Sequence, residues 1–585
     1  MASADNTLIQ LDPALKPSNG KRRMNLQTNF SPNLRDHFPF TDVRPSQDVC
    51  LTKIEESYTN EKKFTICEAP TGTGKSGFGI AAASWAKTKP CFGGDKHRVG
   101  GYILSPQKTL TAQYMNDFAE MGLVELKGKA NYFCSEHDTD CDTGALLNKS
   151  SNQGDDRTVC EDCPYKYAKR TMLGSGVGTM NFAYFLNETQ YAGQLGTREI
   201  LVLDEGHNVE QQVLGFTDTV ITRKRNDEIG AGPMPFIKPG ENAKTYEWLV
   251  GTFRPALTAH MQKLEDLLEE AKMSGNRDEA VKYAKKLDSY DKYTCRLNRF
   301  INSEDPGNWL CWTNTDKMSK ESGNLTIKPL TATLFANEVL FSKANKILMM
   351  SATILDFNTV MRNLGIAKED TTIVKLGSEF PLENRPIFFW PCGSMSAKFI
   401  DETMPHMADG VQQLMVKYAL KKGIVHTHSY KITKYLVEYL RSRGFGPRII
   451  THDSEPGSRE AAVARHLESP EPTVLFSPSM TEGLDLKEDL SRFQIICKVP
   501  YPFLDPYVKA RLQRDEAWYN WCTALTLVQA TGRSVRSKTD KAHTYILDSA
   551  FEYFLTKNQS VLPTWWTDSI QFLKAKAGAP IQKRW

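Results

Sequence analysis

The sequence predicts an α/β protein with two parallel-sheet domains, and three features support that prediction. Its 585 residues are too many for one hydrophobic core, because chains beyond about 250–300 residues divide into domains. Hydrophobic residues make up 40% of the chain and charged residues 24%, which is typical of globular proteins. Apolar strand-like runs alternate with helical patterns, as in parallel sheets whose functional loops follow the carboxyl ends of the strands.

Eight apolar runs are predicted strands, four before residue 360 and four after residue 420. The first four are FTICEAPTGTGKS, VGGYILSPQKT, EILVLDEGHN and KILMMSATIL. The second four are KKGIVHTHSY, PTVLFSPSMTEG, FQIICKVPYP and HTYILDSAF. Between these groups, GSEFPLENRP at residues 377–386 is the predicted linker.

Two segments interrupt this alternation. Residues 121–175 are rich in Gly, Asp, Asn and Cys and poor in apolar residues, so a core there requires a staple such as a metal. Residues 255–301 carry two apolar stripes at three- and four-residue steps, separated by MSGN at 273–276. This period predicts an antiparallel helical hairpin.

The net charge and the distribution of apolar residues limit which partners and which cell compartment we expect. The net charge of +4 is nearly neutral, so any affinity for nucleic acid must come from local basic surfaces. We expect no membrane contact, because the sequence has neither a signal-peptide pattern nor a run of eighteen apolar residues. The expected location is the cytoplasm, or the nucleus in a eukaryotic host. There thiols stay reduced, so the twelve cysteines are predicted to be buried or metal-bound.

A phosphate-binding loop is predicted at EAPTGTGKS, which follows the strand FTIC and precedes a helical pattern. In this setting backbone N–H groups cradle phosphates, Lys75 reaches the β- and γ-phosphates and Ser76 ligates Mg²⁺. Ala69 stands where the usual pattern has Gly. The alternative, a chance match in an unstructured loop, is disfavoured by the strand-loop-helix setting.

Acidic residues follow the apolar strand ILVL. Asp204 there can hold Mg²⁺, and Glu205 can orient or deprotonate an attacking water. Adjacent acids after a strand are often only a solvated loop. The phosphate-binding loop upstream favours the catalytic interpretation.

The segment QATGRSVRS provides Gln529, Gly532, Arg533 and Arg536. Two arginines three residues apart share a helical face, so both can reach one anion. A surface basic pair is the alternative. The functional interpretation is an arginine finger that reaches the γ-phosphate from the second domain.

These elements, with SATI at 351–354 and TEGLDL at 481–486, resemble superfamily 2 helicase motifs. The order FPFTDVRPSQ, LKGKANYFC, CPY, DEGH, GSEFP and QATGRSVRS is similar to the XPD/DinG family. The resemblance implies two RecA-like domains, the first carrying an inserted iron-sulfur domain and an inserted helical arch domain. The implied segments are 1–120, 176–215 and 326–380 for the first RecA-like domain, 121–175 for the iron-sulfur domain, 216–325 for the arch and 381–585 for the second RecA-like domain.

The resemblance also implies residue roles, with ATP and Mg²⁺ as cofactors. Arg44 and Gln47 would contact the adenine, and His207 would couple the cleft to DNA. The residues implied to bind phosphate or metal, or to act in hydrolysis, are Gly72, Thr73, Gly74, Lys75, Ser76, Asp204, Glu205, Gln529, Arg533 and Arg536. The segment of Glu482, Gly483 and Asp485 would touch both DNA and nucleotide. Gly206, where the family usually has Ala, is expected to leave its loop more flexible.

Four cysteines lie within residues 134–163, namely Cys134, Cys141, Cys160 and Cys163. Such a thiolate set suits either tetrahedral Zn²⁺ or a 4Fe-4S cluster, and spacing alone slightly favours zinc. The resemblance places a 4Fe-4S cluster here, where it would stiffen a polar segment into a wedge. Beside the thiols, the aromatic side chains would either stack on unpaired bases or pack around the metal; they are Tyr132, Phe133, Tyr165 and Tyr167.

Together these features predict an ATP-dependent DNA helicase. By resemblance, it would move 5′ to 3′ on single-stranded DNA and unwind forked duplexes as a monomer, with any loading partner unidentified. One alternative is an RNA helicase or a translocase that remodels protein-nucleic acid complexes. Another is a nucleotide-gated module in which the cluster senses redox state.

Overall fold

The computed structural model describes residues 31–89, 97–151, 163–192, 195–315, 322–455, 457–479, 486, 488–532, 534–535, 537 and 539–573. Several of the predicted functional residues lie outside these ranges. They are Cys160, Glu482, Gly483, Asp485, Arg533 and Arg536.

The first sheet has seven parallel strands, and all four strands predicted before residue 360 belong to it. Three short strands complete it, at Val124–Glu125, Val177–Asn181 and Thr371–Lys375. The order across the sheet is Thr371–Lys375, Phe64–Glu68, Ala344–Ser351, Thr197–Asp204, His97–Ser105, Val177–Asn181 and Val124–Glu125. This sheet and its helices are called the first lobe.

The second sheet also has seven parallel strands and includes the four strands predicted after residue 420. The order across it is Ile449–Thr451, Val474–Ser477, Gly423–His426, Phe493–Ile496, His543–Asp548, Ile387–Gly393 and Ile570–Phe572. This sheet and its helices are called the second lobe. The chain passes from one sheet to the other between Lys375 and Ile387, and the fold class predicted from the sequence is confirmed.

Helices connect the strands in both lobes. Those of the first lobe are Pro45–Thr59, Lys75–Trp85, Lys108–Phe118, Phe182–Asn187, Val209–Thr217, Ala336–Val339 and Phe357–Leu364. Those of the second lobe are Ile400–Lys417, Tyr430–Arg441, Ser458–Glu468, Pro506–Arg514, Glu516–Thr531, Ala550–Asn558 and Thr564–Thr567.

Two insertions interrupt the first lobe. The cysteine-bearing segment pairs Phe133–Cys134 with Thr139–Asp140 and has helices Cys141–Ser151 and Pro164–Ser175. The second insertion contains helices Arg223–Ile229, Asn242–Trp248, Arg254–Met273 and Arg277–Ile301, with a three-stranded antiparallel sheet of Thr219–Ile221, Trp309–Thr315 and Ser322–Pro329.

The helices Arg254–Met273 and Arg277–Ile301 form the predicted hairpin. Leu257 and Leu264 of one helix and Tyr290 and Leu297 of the other are buried, so the apolar stripes read from the sequence meet along a shared seam. The Arg277 guanidinium donates to the carbonyl oxygen of His137. The hairpin therefore contacts the cysteine-bearing segment.

A buried ion pair joins the two lobes. Arg511 Nη1 lies 2.8 Å from Glu210 Oε1, and neither side chain is more than 8% exposed. The Arg511 guanidinium also lies 4.1 Å from the ring centroid of Trp518. A second pair, between Arg362 and Asp515, has a guanidinium that is 52% exposed. Of these two ion pairs between the lobes, one is thus buried and the other is solvated.

We expect Arg511→Met to lower the free energy of unfolding by roughly 3–5 kcal/mol, because removing one partner leaves the Glu210 carboxylate buried without its counter-charge. Denaturant titration of both proteins measures the difference. Arg362→Met is the matched control, and loss of that exposed pair should cost about 1 kcal/mol or less. Equal losses in the two variants would contradict the argument that burial makes the Arg511–Glu210 pair the more important of the two ion pairs.

Candidate active site

The loop EAPTGTGKS leaves the strand Phe64–Glu68 and enters the helix Lys75–Trp85. Thr73 closes a tight turn by donating from both its N–H and its hydroxyl to the carbonyl oxygen of Pro70, at 3.2 and 2.7 Å. Gly74 has φ +90°, and a Cβ there would lie 2.8 Å from Gln47 Nε2. Glycine is therefore required at this position, both for its backbone conformation and for space.

The acidic residues end the strand Thr197–Asp204, which is separated from Phe64–Glu68 by only one strand of the sheet. Because carboxyl ends of parallel strands meet at one edge, Asp204 faces the same cleft as Lys75. Burial, followed by the charge of Glu205, raises the pKa of Asp204 to about 6. Glu205 itself has a left-handed φ of +48°, which is rare for a residue with a side chain and is found at functional sites.

These residues line a cavity of about 580 Å³ between the lobes. Its walls include Lys75, Ser76, Asp204 and Glu205 from the first lobe, and Gln529, Gly532 and Trp565 from the second. The residues predicted to bind phosphate, to bind Mg²⁺ and to activate water thus lie around one cavity. A cavity of this size suits a nucleotide-sized ligand.

His207 connects the acidic residues to the second lobe. Its Nε2 lies 2.9 Å from Gln529 Nε2, and its Nδ1 lies 2.8 Å from Ser351 Oγ and 3.4 Å from Glu205 Oε2. Both ring nitrogens of His207 are therefore engaged, one with the second lobe and one with the strand that ends at Ser351. The acidic motif therefore reaches the second lobe through one imidazole ring.

The loop after Ser351 forms a second connection. Glu68 Oε2 accepts from the backbone N–H groups of Ile354 and Leu355, both at 2.6 Å. The Ile354 carbonyl accepts from the Trp521 indole N–H at 2.7 Å. Glu68 ends the strand that leads into the phosphate-binding loop, and Trp521 belongs to the helix that carries Gln529. The sequence motif SATI indicated this loop, but the sequence did not predict that Glu68 and Trp521 would bond to it.

Tyr114 is another residue that the sequence analysis missed. It lies on the buried face of the helix Lys108–Phe118, beside Ser76 and Asp204. Burial raises the pKa of Tyr114 well above its usual value, and the Asp204 carboxylate raises it further. The phenol therefore stays protonated beside the Asp204 carboxylate, although its spacing in the sequence indicates only a core position.

Arg44 and Gln47, predicted to contact adenine, are bonded to the protein itself. Gln47 accepts from the Arg44 N–H at 2.9 Å and donates to the Thr73 carbonyl at 2.9 Å. Arg44 donates to the Gly72 carbonyl at 2.7 Å and pairs with Glu379 at 3.1 Å. In this structure these side chains hold the phosphate-binding loop in shape.

Gly206 is packed closely, whereas its sequence context was expected to give a more flexible loop. It is buried, and a Cβ there would lie 3.2 Å from Met349 Cβ and 3.3 Å from the Met350 backbone nitrogen. Those neighbours belong to the central strand Ala344–Ser351, which has little freedom to move away. Close packing, not flexibility, explains glycine at this position.

Three of the four predicted metal ligands lie in the described part of the chain, and Cys134, Cys141 and Cys163 are all buried. The sulfurs of Cys141 and Cys163 are 3.5 Å apart, and a Cβ at Gly144 would lie 2.7 Å from the sulfur of Cys134. Burial and then the adjacent Cys163 raise the pKa of Cys141 to about 12. Within the ranges described above, no group of three or more His, Cys, Asp or Glu side chains is arranged to hold a metal ion.

Comparison with known proteins agrees with this geometry. The model of the helicase C-terminal domain matches residues 412–569. An XPD helicase structure superposes with a TM-score of 0.58 and 17% identity, covering 91% of this chain and 100% of that one. The Xpd4 structure of S. tokodaii gives a TM-score of 0.54 and 14% identity, with coverage of 91% and 100%. The chain has the XPD helicase fold.

A curated relative, the ATP-dependent DNA helicase DinG of Photobacterium profundum, is 25% identical over 253 residues. The alignment covers 38% of this chain and 34% of the relative, so the match spans about a third of that protein. The predicted resemblance to XPD/DinG-like superfamily 2 helicases is confirmed. No helix of the described residues has the length and apolar character needed to cross a membrane.

We expect Gly206→Ala to lower the free energy of unfolding by about 1–3 kcal/mol, because the added methyl group overpacks against an immobile strand. Thermal or denaturant unfolding measures the change. Gly215→Ala is the control within the adjoining helix Val209–Thr217, since no atom lies within 4 Å of a Cβ there. That variant should be neutral or stabilised by up to about 1 kcal/mol, and a stable Gly206→Ala protein would contradict the packing argument.

Proposed function

We propose that this protein is a monomeric, ATP-dependent DNA helicase that moves 5′ to 3′ on single-stranded DNA and opens forked duplexes. One observation carries the proposal: His207 contacts Gln529 between lobes that share the cavity lined by Lys75. A nucleotide in that cavity touches both lobes, so its binding and hydrolysis change their separation. The direction and the fork preference rest on the XPD/DinG resemblance, and the choice of DNA rests on the DinG relative.

In the proposed reaction, residues of the first lobe bind and orient while the second lobe completes the cavity. Lys75 neutralises the β- and γ-phosphates, and Glu205 orients or deprotonates the attacking water. Ser76 and Asp204 would hold Mg²⁺, which when bound offsets charge on the transferring phosphoryl group. Through its contact with His207, Gln529 would couple the second lobe to the acidic residues of the first. We propose that the arginines of QATGRSVRS reach the same phosphates.

The cysteine-bearing segment is proposed to hold a 4Fe-4S cluster and to act as a wedge at the fork, with zinc as the alternative occupant. Cys134, Cys141 and Cys163 are buried near one another, and thiolates are ligands of both centres. A bound metal centre supplies free energy that orders a polar segment and offsets the cost of ionising buried thiols. Phe133 and Tyr167 are 47% and 68% exposed, as expected of side chains that stack on unpaired bases.

We expect Lys75→Ala to reduce ATP turnover roughly a hundred-fold or more, because it removes the cation that faces the transferring phosphates. Steady-state phosphate release in the presence of single-stranded DNA measures the effect. Lys53→Ala is the control, since Lys53 is a half-exposed lysine paired with Glu56 on a helix of the same lobe. Undiminished turnover in Lys75→Ala would show that the nucleotide binds elsewhere.

The proposed substrate is tested by comparing forked DNA, blunt DNA and matched RNA duplexes in one strand-separation assay. Forked DNA with a free 5′ tail should be opened fastest. Opening of RNA alone would replace the proposal by an RNA helicase. If the protein separates no strands and Glu205→Gln leaves its function untouched, the nucleotide-gated redox sensor is favoured, because a switch does not require hydrolysis.

We expect Cys163→Ser to lose the bound metal, with bleaching of iron-sulfur absorbance and loss of strand separation but retention of some DNA-stimulated ATP turnover. Metal analysis of anaerobically purified protein, alongside the visible spectrum, measures occupancy and distinguishes iron from zinc. Cys295→Ser is the matched control, because this thiol is exposed on the helical hairpin. A Cys163→Ser protein that lacks metal and still separates strands fully would exclude the wedge.

A further inference from the structure

The nucleotide cavity continues past the phosphate-binding residues into an apolar crevice. Pro70, Thr71, Gly532 and Trp565 line both spaces. The crevice is lined further by Phe380 and Val535 and has a volume of about 50 Å³, too small for a purine ring. A ligand that extends from Lys75 toward this end of the cavity would therefore stop at the mouth of the crevice, against Trp565.

Arg44 and Gln47, the polar side chains that contact the phosphate-binding loop, already form hydrogen bonds within the protein. Both polar atoms of the Gln47 amide bond to Arg44 and Thr73. Arg44 bonds to the Gly72 carbonyl and to Glu379. Contact with a base through these same atoms would compete with bonds that shape the phosphate-binding loop, so another surface would add to the affinity for the base.

Trp565 offers that surface. It is half-buried, and the Arg385 guanidinium lies 4.8 Å from its ring centroid. Arg385 Nη2 donates to the Phe380 carbonyl at 3.1 Å, which fixes the guanidinium against the indole. Arg385 Nε is buried and has no hydrogen-bond partner in the described part of the chain, so a polar ligand atom that enters the crevice would satisfy it.

We infer that the base of the bound nucleoside triphosphate stacks on Trp565, at the mouth of the crevice backed by Arg385. This inference rests on the proposed function and adds to it a binding site for a nucleobase in the second lobe. The phosphates are then held mainly by the first lobe and the base by the second. Base stacking would help to draw the lobes together, and it would discriminate weakly among bases, because each base presents a π-face.

The test compares Trp565→Leu, which keeps apolar bulk, with Trp565→Phe, which keeps an aromatic face. Binding of ADP is measured by titration calorimetry, which requires no turnover, and KM and kcat are measured for ATP. Inorganic tripolyphosphate serves as the probe that has no base, through its inhibition constant. Trp390→Leu is the control, since Trp390 is partly buried in the core of the same lobe and does not line the cavity.

We expect Trp565→Leu to weaken ADP binding and to raise KM for ATP about ten-fold, with kcat and inhibition by tripolyphosphate unchanged. Trp565→Phe should restore most of the affinity, and Trp390→Leu should leave it unchanged. Unaltered ADP affinity in Trp565→Leu would overturn the inference, as would equal weakening of ADP and tripolyphosphate. If the wild type binds ADP but does not hydrolyse ATP, the proposed helicase function is wrong. The effect of Trp565→Leu on ADP binding would still test the site for the base.

Discussion

The backbone of one residue, Ile354, is bonded to both lobes, and the shape of the nucleotide cleft depends on it. Its N–H donates to Glu68 and its carbonyl accepts from Trp521. Glu68 closes the strand that enters the phosphate-binding loop, while Trp521 lies two helical turns before Gln529. A displacement of either lobe must therefore move or break this junction, because hydrogen bonds tolerate little change in length or angle.

Buried carboxylates organise the carboxyl edge of both sheets in the same way. Glu68 gathers the loop after Ser351. In the second lobe Asp548 accepts from the N–H groups of Met395, Val499 and Ala550 at 2.9 to 3.1 Å. Each carboxylate satisfies backbone donors that burial would otherwise leave unpaired. The loops at both edges are thus each held by several backbone hydrogen bonds to one carboxylate.

The two insertions rely on different sources of stability. The helical hairpin buries apolar stripes along its length, with Leu257, Leu264, Tyr290 and Leu297 inside. The cysteine-bearing segment has only short strands and packs Cys141, Cys163 and Tyr165 into the core of the first lobe. The metal centre proposed above would add to its order. The contact of Arg277 with the His137 carbonyl brings the two insertions together beside the first lobe.

The sequence by itself determined the strongly periodic elements and the residues that chemistry confines to one type. The eight apolar strands, the hairpin and the positions of Lys75, Ser76, Asp204 and Gln529 follow from local pattern, since buried parallel strands need continuous apolar runs and phosphates need a glycine-rich loop. The edge strand Thr371–Lys375 was not predicted, because only one of its five residues is buried.

Only the tertiary structure decided what each of these residues contacts. The resemblance implies that Arg44 and Gln47 contact adenine, and the fold adds that both are bonded to the phosphate-binding loop. Trp565 and Tyr114 carry no local signal, and chain folding brings them to the cavity or beneath it from distant segments. Periodicity records which side chains are buried, whereas the partner of a buried group is set by how separate elements pack, and that information is spread over the whole chain.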